Sequence, residues 1–346
     1  MQKAILLTAG LLDTPDAKTA HGLIRESERF EIVGVVDGKH AGKDAGEVLD
    51  GIFRNIPIFA GVEDAMSAAP AYCIVGVATT GGKFPGFMLK MVETAVQNKL
   101  SVINGLHDYL SEHKDIVDLA AENGVELHDI RKPKSFRDLH FWTGEILQLK
   151  TPVVAVMGTD CALGKRTATR LLVKACWEAG LQAQMIYTGQ TGWLQGGQYG
   201  FIFDSTLNDF VSGELEHAIL TCARETNPDI IFIEGQSALR NPSGPCGAEF
   251  LLSGMAKQVI LVHSPTREYF DMEPHFGKIP TVESEIELIR LYGSQVIGLA
   301  LNTENCDEET YRSFQKKYET ELGIPVLLPI QEGCEGIVPV MKAMVP

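Results

Sequence analysis

Residues 152–170 read PVVAVMGTDCALGKRTATR. An apolar strand over residues 152–157 runs into a turn that opens at Gly158 and closes at Gly164. Lys165 then begins a stretch with helical spacing that reaches residue 179. Phosphate is held where backbone N–H groups converge, where glycines let the chain come close, and where a helix presents its positive end. A lysine at the helix start adds a point charge. The turn has all of these features in the strand–turn–helix context such a motif needs. Gly158, Thr159, Cys161, Ala162, Leu163, Gly164, Lys165, Arg166 and Thr167 are therefore read as contacts to a phosphorylated cofactor.

The spacing departs from the common GxxxxGK[ST] pattern. Five residues separate the two glycines, and Arg166 stands where the Mg²⁺-binding hydroxyl would be. Thr167 is one residue late, and a helix turns about 100° per residue, so it is no simple replacement. Phosphate binding survives this change better than metal binding does. If magnesium is used, Thr167 and Glu234 are its candidates; otherwise no metal is expected.

Working outward, further apolar runs at residues 183–187, 229–234, 258–263, 295–302 and 325–329 alternate with helical stretches at 207–226, 283–292 and 307–322. Near-continuous apolar strands alternating with helices indicate a parallel sheet covered on both faces. The first half repeats the pattern, with runs at 4–8, 31–37, 56–60, 72–78, 101–104 and 125–130. The expected fold is α/β: a Rossmann-like parallel-sheet domain over residues 1–150, then a P-loop NTPase-like doubly wound domain over 151–346. The basic stretch from 131 to 150 reads as the connection, and residues 188–200, rich in Gly and Gln, as a loop. Asp37 ends the second strand where a ribose-binding acid would lie. However, the first strand is followed by AGLLDTP rather than GxGxxG, which disfavours NAD.

The chain has 346 residues, room for about two domains, and a formal net charge of −15. That surface repels nucleic acid and anionic membranes, so neither is an expected partner. No run reaches the roughly 20 apolar residues of a membrane helix. Seven scattered cysteines without a CxxC pair suit a reducing, cytoplasmic setting. A homo-oligomer is expected for such a chain, although no residue pattern specifies one.

The longer turn GTDCALGK resembles the P-loop of dethiobiotin synthetase and its relatives. IIFIEGQSAL (230–239), VIGLALN (296–302) and PVLLPI (325–330) resemble later strands of that group. By this resemblance Glu234 faces metal and phosphates, and Asn302 lies near a nucleotide base. A resemblance over nearly the whole chain is carried by TAGLLDTPDAKTAHGLIR, VVDGKHAGKDAGEVLDG, VGVATTGGKFP, NGLHDYL, GTDCALGKRT and EGQSAL, in that order. In these motifs the chain resembles the bacterial P-loop family associated with D-glutamate N-acetyltransferase activity, the DgcN type. The resemblance implies acetyl-CoA as cofactor and D-glutamate or a similar D-amino acid as substrate.

Glu234 ends an apolar strand, where open α/β sheets bind ligands. It is a candidate to accept a proton from a substrate amine. Asp160 inside the turn either does the same or shapes the turn. Asp204 is a third acid candidate, whereas Asp209 reads as a helix N-cap. Arg240 and Arg267 follow strand ends and would suit a dicarboxylate substrate, or else are solvated charges. Gln190 and Trp193 would line a pocket, and His263 reads as a buried, satisfied imidazole. The two resemblances imply two alternative functions for these residues. One is an N-acetyltransferase that uses the turn for coenzyme A phosphates. The other is a Mg-ATP-dependent ligase or phosphotransferase of the dethiobiotin synthetase type.

Overall fold

The structure is a computed structural model that describes residues 1–345, save the side chain of Thr80. The described residues form two compact units. One comprises Met1–Pro133 with Gln190–Gly196, and the other Lys134–Gly189 with Gly197–Pro346.

The first unit holds β1 (Gln2–Leu7), β2 (Phe30–Val36), β3 (Ile58–Phe59), β4 (Tyr72–Val75), β5 (Ser101–Asn104) and β6 (Leu127–Asp129). Their order is β3-β2-β1-β4-β5-β6, all parallel, which is the Rossmann arrangement. Asp37, just past β2, is fully buried. Its Oδ2 accepts from Thr8 Oγ1 at 2.7 Å and from the backbone N–H groups of Gly10 and Leu12 at 3.0 Å each. The carboxylate thus organises the turn after β1.

The stretch expected as a loop at 188–200 contains a short helix, Gln190–Leu194, and part of the first unit's packing. Trp193 stacks on His128 with ring centroids 5.0 Å apart, and the Arg29 guanidinium lies over its other side, 4.3 Å from the ring centroid. Gln195 Nε2 donates to the carbonyls of Gly22 and Glu26 at 2.9 and 3.0 Å. Tertiary contacts therefore impose a helix on a sequence of poor local propensity.

The second unit holds β7 (Val153–Gly158), β8 (Ala183–Tyr187), β9 (Tyr199–Gly200), β10 (Ile230–Glu234), β11 (Gln258–His263), β12 (Gln295–Leu301) and β13 (Val326–Leu327). The order is β13-β12-β11-β7-β10-β8-β9, again all parallel. Alternation along β7 explains its wholly apolar sequence. Val153, Ala155 and Met157 enter one core, and Val154 and Val156 the other. The helix Lys165–Glu178 covers the second core through Ala168, Leu172 and Cys176. The helix Asn208–Thr226 covers the first through Leu215, Ile219 and Cys222. Its N-cap is Leu207, with Asp209 inside the first turn, so the capping role expected for Asp209 falls away.

Residues 134–149 fold onto the second unit through two buried carboxylates of that helix. Glu214 accepts from Lys134 Nζ at 2.6 Å and from the N–H of His140 at 2.8 Å. Glu216 accepts from the backbone N–H groups of Thr143 and Ile146. Among the described residues no helix is long and apolar enough to cross a membrane.

Candidate functional site

β7 and β10 are neighbours, so their C-terminal ends bring the 158–165 turn beside Glu234. Gly164 caps the following helix with φ +85°, a left-handed conformation glycine adopts without strain. Ala162 also has positive φ, at 49°. Such alternation turns successive N–H groups toward one point, the geometry of an anion nest. Gly158 is needed for clearance, since a Cβ there would lie 3.0 Å from Lys165 Cδ and 3.2 Å from its Nζ.

Lys165 is 6% exposed, and its Nζ donates to the carbonyl of Asp160 at 2.7 Å. Burial pushes its ammonium below the usual lysine range, while Cys161 and Asp160 pull the other way. A buried ammonium satisfied by one backbone carbonyl is the partner an anionic ligand completes. Arg166 and Thr167 follow on the same helix, half-buried. The turn's residues therefore fit a phosphate group.

The other residues of the turn have partners within the protein. Leu163 is in the core, and its carbonyl accepts from Asn302 Nδ2 at 3.1 Å. Cys161 Sγ donates to Ser237 Oγ at 3.1 Å, and burial raises its thiol. Thr159 Oγ1 lies 2.9 Å from His263 Nδ1, and Tyr318 Oη lies 3.2 Å from His263 Nε2. Burial lowers the His263 imidazole to about 4, so it is neutral at pH 7.

Asp160 is fully buried and accepts three hydrogen bonds. Asn241 Nδ2 reaches Oδ1 at 2.8 Å. Arg267 Nη1 and the N–H of Asp271 reach Oδ2 at 3.0 and 2.9 Å. Arg267 Nη1 also donates to the carbonyl of Cys161 at 2.7 Å. Ser243 Oγ and Asn241 Nδ2 in turn donate to Asp271 Oδ2. This network ties the turn to the segments following β10 and β11. Arg267, expected to meet substrate, spends Nη1 on the turn, and Asp160 spends both oxygens on its neighbours.

Glu234 has a different environment. It is 4% exposed, and Oε2 accepts from the N–H of Thr188 at 3.1 Å. Burial raises its carboxyl above the usual range, against the opposing pull of Arg166, the Thr188 N–H and Lys165. An acid whose carboxyl is raised by burial is a candidate proton acceptor.

The remaining candidates are placed elsewhere. Arg240 donates from Nε to Glu285 Oε2 at 2.7 Å and from Nη1 to Ser284 Oγ at 2.8 Å, so it clamps the helix Val282–Leu291. Gln190 belongs to the first unit, where a Cβ on Gly105 would meet its Cγ at 3.1 Å. Asp204 is exposed on a short helical turn, Phe203–Ser205, and its charge helps raise the Cys246 thiol. Among the described residues no three His, Cys, Asp or Glu side chains gather to hold a metal. Asn241, Ser243 and Asp271 were not singled out from sequence. Only the turn signature Asn241-Pro242-Ser243-Gly244 pointed to that region.

A Rossmann-like sheet unit and a second unit whose central strand feeds a glycine-lysine phosphate turn define a P-loop protein of two α/β parts. The chain belongs to the DUF1611 family. Residues 140–338 match the family described as "Domain of unknown function (DUF1611_C) P-loop domain", and residues 38–133 match its N-terminal Rossmann-like domain. It is 29% identical over 272 residues to a protein of Pseudoalteromonas named D-glutamate N-acetyltransferase, covering 77% of this chain and 79% of that one. A protein of the same name from Tritonibacter scottomollicae is 27% identical, over 82% of this chain and 84% of its own. The crystal structure of a DUF1611 family protein from Anabaena variabilis is similar over 99% of this chain and 100% of that one. Its TM-score is 0.92 at 28% identity.

Proposed function

We propose that the chain transfers an acetyl group from acetyl-CoA to the amino group of D-glutamate or a closely related D-amino acid. The observation that carries this is the buried Lys165 ammonium at the glycine turn, with the buried acid Glu234 beside it. The turn holds phosphates of coenzyme A through its N–H groups and Lys165. Glu234 takes a proton from the substrate ammonium, because only the neutral amine attacks a thioester. The new C–N bond forms at the acetyl carbon first, the C–S bond then breaks, and coenzyme A leaves as the thiol, taking up the proton that the attacking nitrogen gives up. Backbone N–H groups are the available donors for the oxyanion that forms between these events. The relatives' names support the substrate class.

The competing reading is Mg-ATP-dependent ligation, with Thr167 and Glu234 toward the metal. A melting-shift experiment separates the two, because a ligand that binds the native state raises its melting temperature. Acetyl-CoA should raise it, and acetyl transfer to D-glutamate should persist in EDTA. A shift with Mg-ATP alone, or turnover abolished by EDTA and restored by Mg²⁺, would replace this reading with the ligase.

A further inference from the structure

A cavity of about 240 Å³ opens in the second unit, lined in part by His263 and Arg267. Drug-sized and cofactor sites run to about 300–1,000 Å³, so this space suits a small metabolite and not a coenzyme. Its floor is made by His263 and Tyr318, both less than a tenth exposed, and its rim carries both signs of charge. Lys278 and Glu268 pair with each other there, so Lys317 and Arg267 are the cations that face a ligand and Glu283 is the anion. An inorganic anion would meet Glu283, and a simple amine would meet Lys317 and Arg267. A small molecule that carries both charges meets neither objection.

We propose that this cavity binds a free amino acid, a zwitterion, and that its occupancy is coupled to the phosphate turn. The coupling runs through two side chains that line the cavity and also touch the turn. Arg267 Nη1 holds the Asp160 carboxylate and the Cys161 carbonyl. His263 pairs with Thr159 Oγ1. A carboxylate drawn to Lys317 and the guanidinium of Arg267 competes with Asp160 for that cation, so it shifts the turn. Linkage makes the effect reciprocal, and phosphate on the turn must change amino-acid affinity by the same factor. The inference does not depend on acetyl transfer, since both sites are read by binding.

The test uses the full chain in a calorimeter, with D- and L-glutamate as amino-acid probes and inorganic pyrophosphate as the probe of the turn. Succinate and putrescine serve as controls that carry one sign of charge each. Besides D-glutamate held at Glu234, one glutamate of either hand should bind per chain in this cavity, and neither control should. Lys317→Met and Glu283→Gln alter exposed side chains, so folding is not at risk. Each should weaken glutamate binding about tenfold or more, the size of one charge-assisted hydrogen bond. Saturating glutamate should change pyrophosphate affinity by about fivefold or more, and Lys317→Met should abolish that effect. Absence of glutamate binding, equal binding of succinate, or glutamate binding untouched by both variants overturns the assignment. A pyrophosphate affinity indifferent to glutamate overturns the coupling.

Discussion

Asp160→Ala tests whether the acid inside the phosphate turn is an anchor or a reacting group. The carboxylate is fully buried and accepts three hydrogen bonds, one of them from Arg267, whose side chain is 8% exposed. Truncation leaves a buried guanidinium without its countercharge, together with an unpaired Asn241 amide and Asp271 N–H. Removing one partner of a buried ion pair costs about 3–5 kcal/mol. The unpaired neutral donors belong to the same network, so their losses do not simply add. Urea unfolding followed by far-UV circular dichroism should report a loss of that size with an unchanged slope. Asp160→Asn keeps one carbonyl oxygen and should lose less. The anchored turn should also loosen, so acetyl-CoA affinity falls in both variants. A proton acceptor would behave differently, with Asp160→Asn as stable as the parent and binding acetyl-CoA normally but not turning over. That result, or a stability loss in Asp160→Ala below about 1 kcal/mol, would refute the anchor.

Lys165→Met should abolish the melting shift given by acetyl-CoA while the fold persists, because it removes the one buried cation of the turn and leaves an apolar stem of similar length; an unchanged shift would refute the phosphate reading. Glu234→Gln should lower kcat by about 10²–10⁴-fold, with the defect shrinking as pH rises and more amine is already neutral. The same variant should be no less stable at pH 7, since burial raises the Glu234 carboxyl in the folded state. That ionisation costs stability once pH exceeds about 4.3, and a neutral amide has no such cost. His263, lowered to about 4 by burial, acts in the opposite sense. The unfolded chain binds its proton near pH 6.5 and the folded chain does not, so stability is complete above about 6.5 and falls toward pH 4. The slope is at most about 1.4 kcal/mol per pH unit, and His263→Gln should flatten it in urea melts taken across that window.

Much of this architecture was legible because it is local. Residues 101–104, 183–187 and 258–263 were read as strands from contiguous apolar runs, and the observed strands have the same bounds. The turn was legible for the same reason, since its glycines and lysine lie within eight residues of one another. What escaped was long-range. The partners of Asp160 are 81, 107 and 111 residues away, and no local pattern connects an aspartate in a turn to an asparagine in another loop. The helix Gln190–Leu194 was hidden because glycine and glutamine spacing resembles a loop, while Trp193 and Gln195 find their partners in a different part of the chain. The two-residue β9 offers too little sequence for any pattern.

The two acids nearest the turn show why residue type alone could not assign their roles. Asp160 and Glu234 are both buried, both lie beside Lys165, and from sequence either serves as base. Their environments separate them. Donors converge on Asp160 from three points in the chain, so its carboxylate is held in the protein's own network, and replacing it should cost chiefly stability. Glu234 accepts from the peptide groups that follow β8, and burial outweighs the opposing pull of Arg166 and Lys165 to raise its carboxyl. Pairs of carboxyls that the surrounding protein drives to different proton affinities are how one site divides structural from chemical work. The division makes a joint demand on experiment. Asp160→Asn must damage folding more than Glu234→Gln, and Glu234→Gln must damage turnover more than binding. Equal losses of turnover and equal losses of stability in the two variants would show that the donors around Asp160 do not decide its role.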